Sequence, residues 1–285
     1  MTVTDLYKKL LSTLTPVLGD SEARSAARVI LEDVRGISQT DLVVYGHRTV
    51  EPETLKQIEE ISDRIYAGEP VQYAVGSARF YGMDFKVNPS VLIPRPETEG
   101  LVDMIVRDYG QRSDLRVLDC GTGSGCIAIA LARNLPFASV DAIDISPDAL
   151  KVATDNSSRL KVKVNFSCRD ILHPVRPDEP AYDIIVSNPP YIADRERKDM
   201  DTRVTDYEPS TALFVPDSDP LIFYRAITQY ATLALKKSGG LYFEINPLYA
   251  DQLRAMLEDN GFDSIEILRD YIGRYRYAKA ILATK

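Results

Sequence analysis

The chain is poor in the residues that build disulfide frameworks and metal sites. Its 285 residues include only three cysteines and two histidines. An odd, low cysteine count argues against a disulfide framework and for a reducing compartment, so we expect a cytoplasmic protein. Cys120 and Cys126 flank a glycine-rich stretch, but with only His47 and His173 elsewhere they form no metal-ligand spacing. We therefore expect no bound metal.

Long apolar runs and an excess of positive charge are also missing. No stretch approaches the roughly 18 apolar residues of a membrane-spanning helix. The first thirty residues are amphipathic and contain acids, which is typical of neither a signal peptide nor a transit peptide. The formal net charge is −8, whereas a general nucleic-acid binder pairs with phosphates through a basic surface. We expect a monomer without a membrane or a stable nucleic-acid partner.

The most informative stretch is an apolar run that ends in two prolines. Residues 182–186 end in Ile-Ile-Val and are typical of a strand buried on both faces. The following residues read Ser187-Asn188-Pro189-Pro190-Tyr191, and the prolines end the strand because they cannot donate to a ladder. Asn188 is thereby predicted at the carboxyl end of a central strand, where open α/β sheets bind their ligands.

The chemistry of this motif suits a planar NH₂ group. The side-chain carbonyl of Asn188 and the backbone carbonyls of Asn188 and Pro189 could accept its two hydrogen bonds, since the prolines supply no local donor. The ring of Tyr191 could stack on its flat face. The motif predicts a site for an amide or an exocyclic amine. The alternative is an ordinary strand-ending turn, because Asn-Pro and Pro-Pro are common turn dipeptides.

A second predicted site favours the binding interpretation. A short strand at 116–120 leads into Gly121-Thr122-Gly123-Ser124-Gly125, and an apolar helix follows at 127–134. Strand, glycine loop and helix form a nucleotide-binding layout, because glycines allow close backbone approach and the helix start offers free N–H groups. The spacing G-x-G-x-G differs from the dinucleotide fingerprint G-x-G-x-x-G, which disfavours a dinucleotide-dependent oxidoreductase.

Acidic residues follow the next two predicted strands. The strand at 139–144 ends in Asp144, nineteen residues after Gly125, and suits a ribose diol. The strand at 162–167 is followed by Asp170, which could accept from an adenine amino group, and Ile171 could pack on the adenine face. Either acid alone is more often a loop or capping residue. Three such features at successive strand ends together predict a cofactor site.

These motifs resemble a known family. Leu-Asp-Cys-Gly-Thr-Gly-Ser-Gly at 118–125 with Asn-Pro-Pro-Tyr at 188–191 looks like a class I S-adenosylmethionine-dependent N-methyltransferase. The segments Ile-Pro-Arg-Pro-Glu-Thr-Glu at 93–99 and Tyr-Glu-Pro at 207–209 narrow the resemblance. Together they are similar to the protein-(glutamine-N5) methyltransferases, which modify the Gly-Gly-Gln loop of peptide-chain release factors. DNA adenine methyltransferases share Asn-Pro-Pro-Tyr, so a nucleic-acid adenine N-methyltransferase is the alternative.

The resemblance implies S-adenosylmethionine as cofactor and a class 1 release factor as protein substrate. The implied cofactor-binding residues are Gly121, Thr122, Gly123, Ser124, Gly125, Asp144, Asp170, Ile171 and Asn188. The implied catalytic residues are Asn188, Pro189 and Tyr191, and the implied substrate-binding residues are Asn188, Pro189, Pro190 and Tyr191.

Several neighbouring positions have no assigned role. Arg95, Glu97 and Thr98 could line the cofactor or hold the segment over it, or could simply begin a helix. Glu208 could anchor its loop or lie in solvent. One departure from the family pattern is that 244–247, Glu-Ile-Asn-Pro, lacks the glycine expected after the strand.

The expected fold is α/β. Helical periodicity predicts a small N-terminal bundle over 1–70, with helices at 5–18, from 20 or 21, from 41 and from 52 to 68. The family resemblance implies that this bundle docks the release factor; the alternative is that it only caps the larger domain. Alternation around two glycines predicts a β-hairpin connector at 71–95.

Residues 96–285 are predicted to form a Rossmann-like class I methyltransferase domain with a mostly parallel seven-stranded sheet. Its later strands are expected at 240–245, 264–270 and 277–283. The last strand should be antiparallel, because the gap before it is too short for a crossover helix.

Overall fold

The computed structural model describes residues 1–174 and 181–283. The chain divides into two compact units. The first unit comprises Met1–Ser77 and Asp201–Tyr207. The second comprises Ala78–Met200 and the chain from Glu208 onward.

The α-helices are α1 (Val3–Arg35), α2 (Gln39–Val44), α3 (Pro52–Tyr66), α4 (Val71–Val75), α5 (Pro96–Tyr109), α6 (Cys126–Asn134), α7 (Pro147–Leu160), α8 (Thr202–Tyr207), α9 (Ile222–Ala234) and α10 (Ala250–Asp259). The strands are β1 (Ser77–Phe80), β2 (Met83–Lys86), β3 (Arg116–Cys120), β4 (Ser139–Asp144), β5 (Asn165–Cys168), β6 (Tyr182–Ser187), β7 (Ile192–Ala193), β8 (Phe214–Val215), β9 (Leu235–Glu244), β10 (Phe262–Arg269) and β11 (Tyr275–Leu282). Short 3₁₀ turns cover Asp194–Asp199, Ser210–Ala212 and Pro247–Tyr249.

The first unit is built from helices around its own apolar core. α1 consists of two helical segments that meet at Gly19, whose φ of 75° is not helical. Ser38 begins α2 with a capping box to Asp41, which satisfies free N–H groups at the helix start. α4 lies in the range predicted as connector, and belongs to this unit. The largest fully buried core side chains are Leu6, Leu14, Ile30, Leu31, Ile58 and Ile65.

The short helix α8 also belongs to the first unit. It begins eleven residues after Tyr191, the last residue of the Asn-Pro-Pro-Tyr motif. Its Arg203 guanidinium pairs with Glu22 at 2.6 Å, and the hydroxyl of Tyr207 donates to the Ala67 carbonyl at 3.3 Å.

A seven-stranded sheet organises the second unit, in the order β10-β11-β9-β6-β3-β4-β5. The pairs β9/β6, β6/β3, β3/β4 and β4/β5 are parallel. β11 runs antiparallel to both of its neighbours, β9 and β10. The predicted fold class, with its reversed last strand, is confirmed.

β6 is the central strand that the apolar run predicted, and all six of its residues are buried. Its one charged residue, Asp183, is paired: the carboxylate accepts from the Arg116 backbone N–H at 2.8 Å and from Lys236 at 2.7 Å. Such pairing offsets the cost of burying a charge.

Helices cover both faces of this sheet. On one face α5 and α6 pack with the β1/β2 hairpin around Phe80 and Phe85. On the other face α9 and α10 pack around Tyr224 and Phe243, whose rings meet edge to face at 5.2 Å. The carboxyl ends of the parallel strands are thereby held at one edge of a well-packed sheet.

Four predicted strand starts were wrong: β10 and β11 begin two residues earlier than predicted, and β5 and β9 differ by three residues or more. β5 begins at Asn165 and not at Val162, because the Val162 N–H closes the end of α7 on the Ser157 carbonyl at 3.0 Å. β9 begins at Leu235 and not at Gly240, since Leu235 already pairs with Tyr182 before an irregularity in register.

Across residues 1–174 and 181–283, no helix is long and apolar enough to cross a membrane. In the same residues no group of three or more His, Cys, Asp or Glu side chains is arranged to hold a metal ion.

Candidate functional site

A pocket of about 430 Å³ opens at the carboxyl ends of β3, β4 and β6, in the second unit. It contains most of the residues that the sequence singled out: Gly121, Thr122, Gly123, Ser124, Asp144, Asp170, Ile171, Asn188, Pro189 and Pro190. Gly125 and Tyr191 lie outside its lining. Arg95 and Thr98, whose roles were left open, also line it.

The glycine loop turns sharply between β3 and α6. Gly121, Gly123 and Gly125 have φ values of 72°, 54° and 82°, a region that disfavours every residue with a Cβ. Gly125 has a second constraint, because a Cβ there would lie 3.1 Å from the side chains of Ala153 and Ile129. Gly121 and Gly123 shape the pocket wall, whereas Gly125 allows close packing behind it.

Asp144 is held rigidly at the end of β4. Its two carboxylate oxygens accept from the backbone N–H groups of Gly123 and Ser146, each at 2.9 Å. Each oxygen keeps a second lone pair, so the carboxylate can still accept from a ligand hydroxyl. This arrangement suits the vicinal hydroxyls of a ribose.

The sequence reasoning missed Asp119, which lies in β3 directly before the loop. Its carboxyl is buried; Oδ2 accepts from the Thr122 hydroxyl at 2.7 Å, and Oδ1 has no partner among the described residues. Burial raises the pKa of Asp119 to about 7. The hydroxyl of Ser124, on the same loop, is likewise buried without a partner. An acid inside the apolar run of β3 was the available signal.

Asp170 and Ile171 follow β5 at the far side of the pocket. The Asp170 carboxylate accepts from the Leu172 backbone N–H at 2.9 Å and lies 2.8 Å from Nδ1 of His173. The hydrogen bond with His173 lowers the pKa of Asp170, so the group stays an acceptor. Ile171 adds apolar surface to the pocket.

The Asn188 side chain makes one hydrogen bond, from Nδ2 to Oγ1 of Thr98 at 3.3 Å. Its Oδ1 has no partner within the described part of the chain, and the residue lines the pocket. In the same described residues, no N–H donates to the backbone carbonyl of Asn188 or Pro189. Free acceptors therefore stand at this end of the pocket.

Behind Asn188 lies a buried polar network that sequence reasoning did not identify. The Thr98 hydroxyl donates to Glu244 at 2.6 Å, and the Tyr191 hydroxyl donates to the other Glu244 oxygen at 2.9 Å. Burial raises the pKa of Glu244, while the two hydroxyls and the nearby Arg276 act against that rise. The signal was an acid at the end of the apolar strand β9.

The loop after β9 needs no glycine. Asn246 lies in this loop, and its φ of −76° is accessible to any residue. Its side-chain amide donates to the Tyr191 carbonyl and to Glu196, both at 3.1 Å. The asparagine thus holds the backbone of the Asn-Pro-Pro-Tyr motif, which a glycine side chain could not do.

Glu208 is buried and does not lie in solvent. Its carboxylate accepts from the Ile93 backbone N–H at 3.1 Å and pairs with the Arg95 guanidinium. It therefore fixes the segment before α5, which carries Arg95 and Thr98 to the pocket.

Comparison with known proteins identifies the family. The model of the methyltransferase small domain matches residues 98–206, and that of the PrmC N-terminal domain matches 9–76. The release factor glutamine methyltransferase of Bacteroides thetaiotaomicron is 41% identical over 94% of this chain and 96% of its own. That of Flavobacterium psychrophilum is 39% identical over 98% and 99%.

A methyltransferase from Pyrococcus furiosus shares the fold, with a TM-score of 0.53 at 17% identity, over 78% of this chain and 98% of its own. The fold is thus also found in a protein whose sequence is far more distant than those of the two bacterial relatives. The chain belongs to the release factor glutamine methyltransferase family.

Proposed function

We propose that this protein transfers a methyl group from S-adenosylmethionine to the side-chain amide nitrogen of a glutamine in peptide-chain release factors. The acceptor would be the glutamine of the Gly-Gly-Gln motif. The observation that carries this proposal is the Asn188 end of the pocket, where Oδ1 and two backbone carbonyls are free to accept. An amide NH₂ offers two N–H donors, which matches that set.

The remainder of the pocket suits the cofactor. The Asp144 carboxylate would bind the ribose hydroxyls, and Asp170 with Ile171 would take the adenine. Ser124 also lines the pocket, on the glycine loop, and would border the amino-acid part. When bound, the cofactor supplies the electrophile, a methyl group on a positively charged sulfur.

The protein's own task is to orient the amide. A glutamine nitrogen is a poor nucleophile, because its lone pair is delocalised into the carbonyl. Accepting both N–H groups, at Asn188 Oδ1 and at a carbonyl of Asn188 or Pro189, polarises them and turns the nitrogen toward the methyl group. Orientation of this kind can contribute ~7–11 kcal/mol in favourable cases. As the bond from nitrogen to the methyl carbon forms, the bond from that carbon to sulfur would break and leave the sulfur neutral. The nitrogen, by then strongly acidic, would lose one proton to water.

The remaining assignments complete the proposal. Pro190 and the ring of Tyr191 would border the amide, and the helical N-terminal unit would dock the folded release factor. The protein would act as a monomer, in the cytoplasm where release factors work, without a stable nucleic-acid partner or membrane.

The direct test is methyl transfer read by intact mass. Purified protein and S-adenosylmethionine should add 14 Da, the mass of one methylene, to a recombinant release factor, and peptide mapping should place it on the Gly-Gly-Gln glutamine. Adenine-containing duplex DNA, assayed in parallel, should remain unmodified. Methyl transfer to the DNA, with none to the release factor, would establish the adenine methyltransferase instead.

Removal of the Asp144 carboxylate should weaken cofactor binding. Leaving a bound ribose diol without this acceptor costs about 1–3 kcal/mol, which is roughly 5- to 150-fold in Kd. Calorimetric titration of Asp144→Ala and Asp144→Asn with S-adenosylmethionine measures this loss. Asp148→Ala is the matched control, since Asp148 is exposed and its carboxylate pairs with Lys151 at the surface of the protein. Parent-like affinity in both Asp144 variants would remove that residue from the site.

A further inference from the structure

We propose that Thr98 is a positioning residue for methyl transfer: its hydroxyl, oriented by the buried Glu244 carboxylate, sets which end of the Asn188 amide faces the substrate. The inference rests on the proposed function for its catalytic consequence. The hydrogen-bond geometry supports the orientation independently of any substrate.

The contact with Glu244 fixes where the hydroxyl proton of Thr98 points. A carboxylate can only accept, so the 2.6 Å contact between Thr98 Oγ1 and Glu244 Oε2 requires the hydroxyl to donate. A threonine hydroxyl has one proton, and that proton is used. Toward Asn188, at 3.3 Å, Oγ1 can therefore only accept.

The direction of that proton sets the orientation of the Asn188 amide. Because Oγ1 accepts, the Asn188 atom that faces it must be the Nδ2 amine and not the Oδ1 carbonyl. Oδ1 is then directed away from Thr98 and remains the free acceptor described above. A reversed amide would present N–H groups to a substrate NH₂, and neither side could accept.

Glu244 must be negatively charged for the Thr98 hydroxyl to donate to it in this way. Tyr191 donates to the second carboxylate oxygen at 2.9 Å, so both oxygens receive a hydroxyl proton. Burial, and to a smaller extent Glu97 on α5, raise the pKa of Glu244, whereas the two hydroxyls and the positive charge of Arg276 favour the ionised form. Arg276 is itself held by Asp270 at 3.3 Å. Thr98 and Glu97 lie on α5, Arg276 lies on β11, and Tyr191 and Asp270 lie in loops. With a hydroxyl proton on each oxygen, the Glu244 carboxylate is paired as an acceptor on both sides.

The consequence is that the hydroxyl of Thr98, more than its shape, should matter for turnover. Thr98→Val keeps the branched volume and removes the hydroxyl, whereas Thr98→Ser keeps the hydroxyl. Thr228→Val is the matched control, because Thr228 is buried and its hydroxyl has no partner among the described residues. The same chemical change is thus made at a threonine that does not connect a carboxylate to an asparagine.

Single-turnover methylation of the release factor should separate these variants. With saturating cofactor, we expect Thr98→Val to lower the rate roughly 10- to 100-fold, as misplacement of a reacting group does. Thr98→Ser should stay within a few-fold of the parent, and Thr228→Val should equal it. In an Asn188→Ala background, Thr98→Val should cause no further loss, because Thr98 acts through Asn188. Losses that multiply, or equal losses in the Ser and Val variants, would overturn the proposal.

A spectroscopic measurement tests the orientation without any methyl acceptor. The Asn188 side-chain NH₂ resonances, assigned by their absence from Asn188→Ala, should move in Thr98→Val and stay in place in Thr98→Ser and Thr228→Val. Unmoved resonances in Thr98→Val would overturn the proposed orientation of Asn188 by Thr98, even if the enzyme methylates release factors. Conversely, the Asn188 resonances could move in Thr98→Val while the parent protein methylates no release factor. That result would refute the proposed function and support the orientation of Asn188 by Thr98.

Discussion

Asn188→Ala should lower the single-turnover rate of methyl transfer at least ~100-fold and leave most of the cofactor affinity intact. The loss follows from removing one preorganised acceptor in the pocket, an effect of that order at other catalytic centres. The substrate N–H that Oδ1 accepts would then lose the acceptor that directs it. The main-chain acceptors at Asn188 and Pro189 would remain, so the amide could still enter but would no longer be turned toward the methyl group.

Asn188→Asp should be similarly slow, although it keeps an acceptor. The new charge would lie beside a sulfonium whose positive charge disappears during transfer, so it stabilises the ground state more than the transition state. It also replaces the Nδ2 donor with a second oxygen that faces Thr98 Oγ1, whose proton is directed to Glu244. In this variant, Thr98 therefore no longer orients the side chain at position 188, and the charge of that side chain no longer suits the transition state.

Rates and binding must be measured together for these two variants. Single-turnover assays with saturating release factor report the chemical step, and calorimetric titration reports cofactor affinity. Asn165→Ala is a suitable control, because Asn165 is exposed on the edge strand β5 and contacts Asp141 there. An Asn188→Ala enzyme within a few-fold of the parent rate would remove the Asn-Pro-Pro-Tyr motif from the proposed mechanism.

The parts of the site that could be predicted are those that strand periodicity places at one sheet edge. The run that ends at Ser187 specified a central buried strand, and parallel pairing with β3 brings Asn188 near the glycine loop. Asp144 ends the next parallel strand, β4, by the same logic. Strand ends are local properties of the sequence, and in an open α/β sheet ligands bind at the carboxyl ends of the strands, so these ends locate the pocket.

The groups that orient those residues could not be predicted, because long-range packing brings them together. Thr98 and Glu244 are 146 residues apart in the chain, and the backbone of Ile93 meets Glu208 across 115 residues. No periodicity links such positions. A polar residue at the start of a helix or the end of a strand has the same appearance whether it faces solvent or a buried partner. Only the packing of α5 against the sheet decides between them.

Replacing the acceptor glutamine of the release factor by glutamate should leave methyl transfer undetectable. The glutamate keeps the length of the side chain but presents no N–H group to Asn188 Oδ1 or to the neighbouring carbonyls. A site built to accept hydrogen bonds rejects an analogue without the donors by about 10⁴-fold or more. The carboxylate would also bring a negative charge against oxygen atoms that have no other donor among the described residues.

Intact mass after a long incubation with excess enzyme and cofactor measures this loss. Circular dichroism of the variant factor controls for its folding. A Gln→Asn factor controls for the amide, and it should retain weak transfer because it still offers two N–H groups from a shorter side chain. A base-labile methyl on the glutamate would mean that the pocket accepts an oxygen nucleophile. In that case Asn188 would not select glutamine over glutamate through its N–H groups. The shape of the pocket alone would have to determine the choice of substrate.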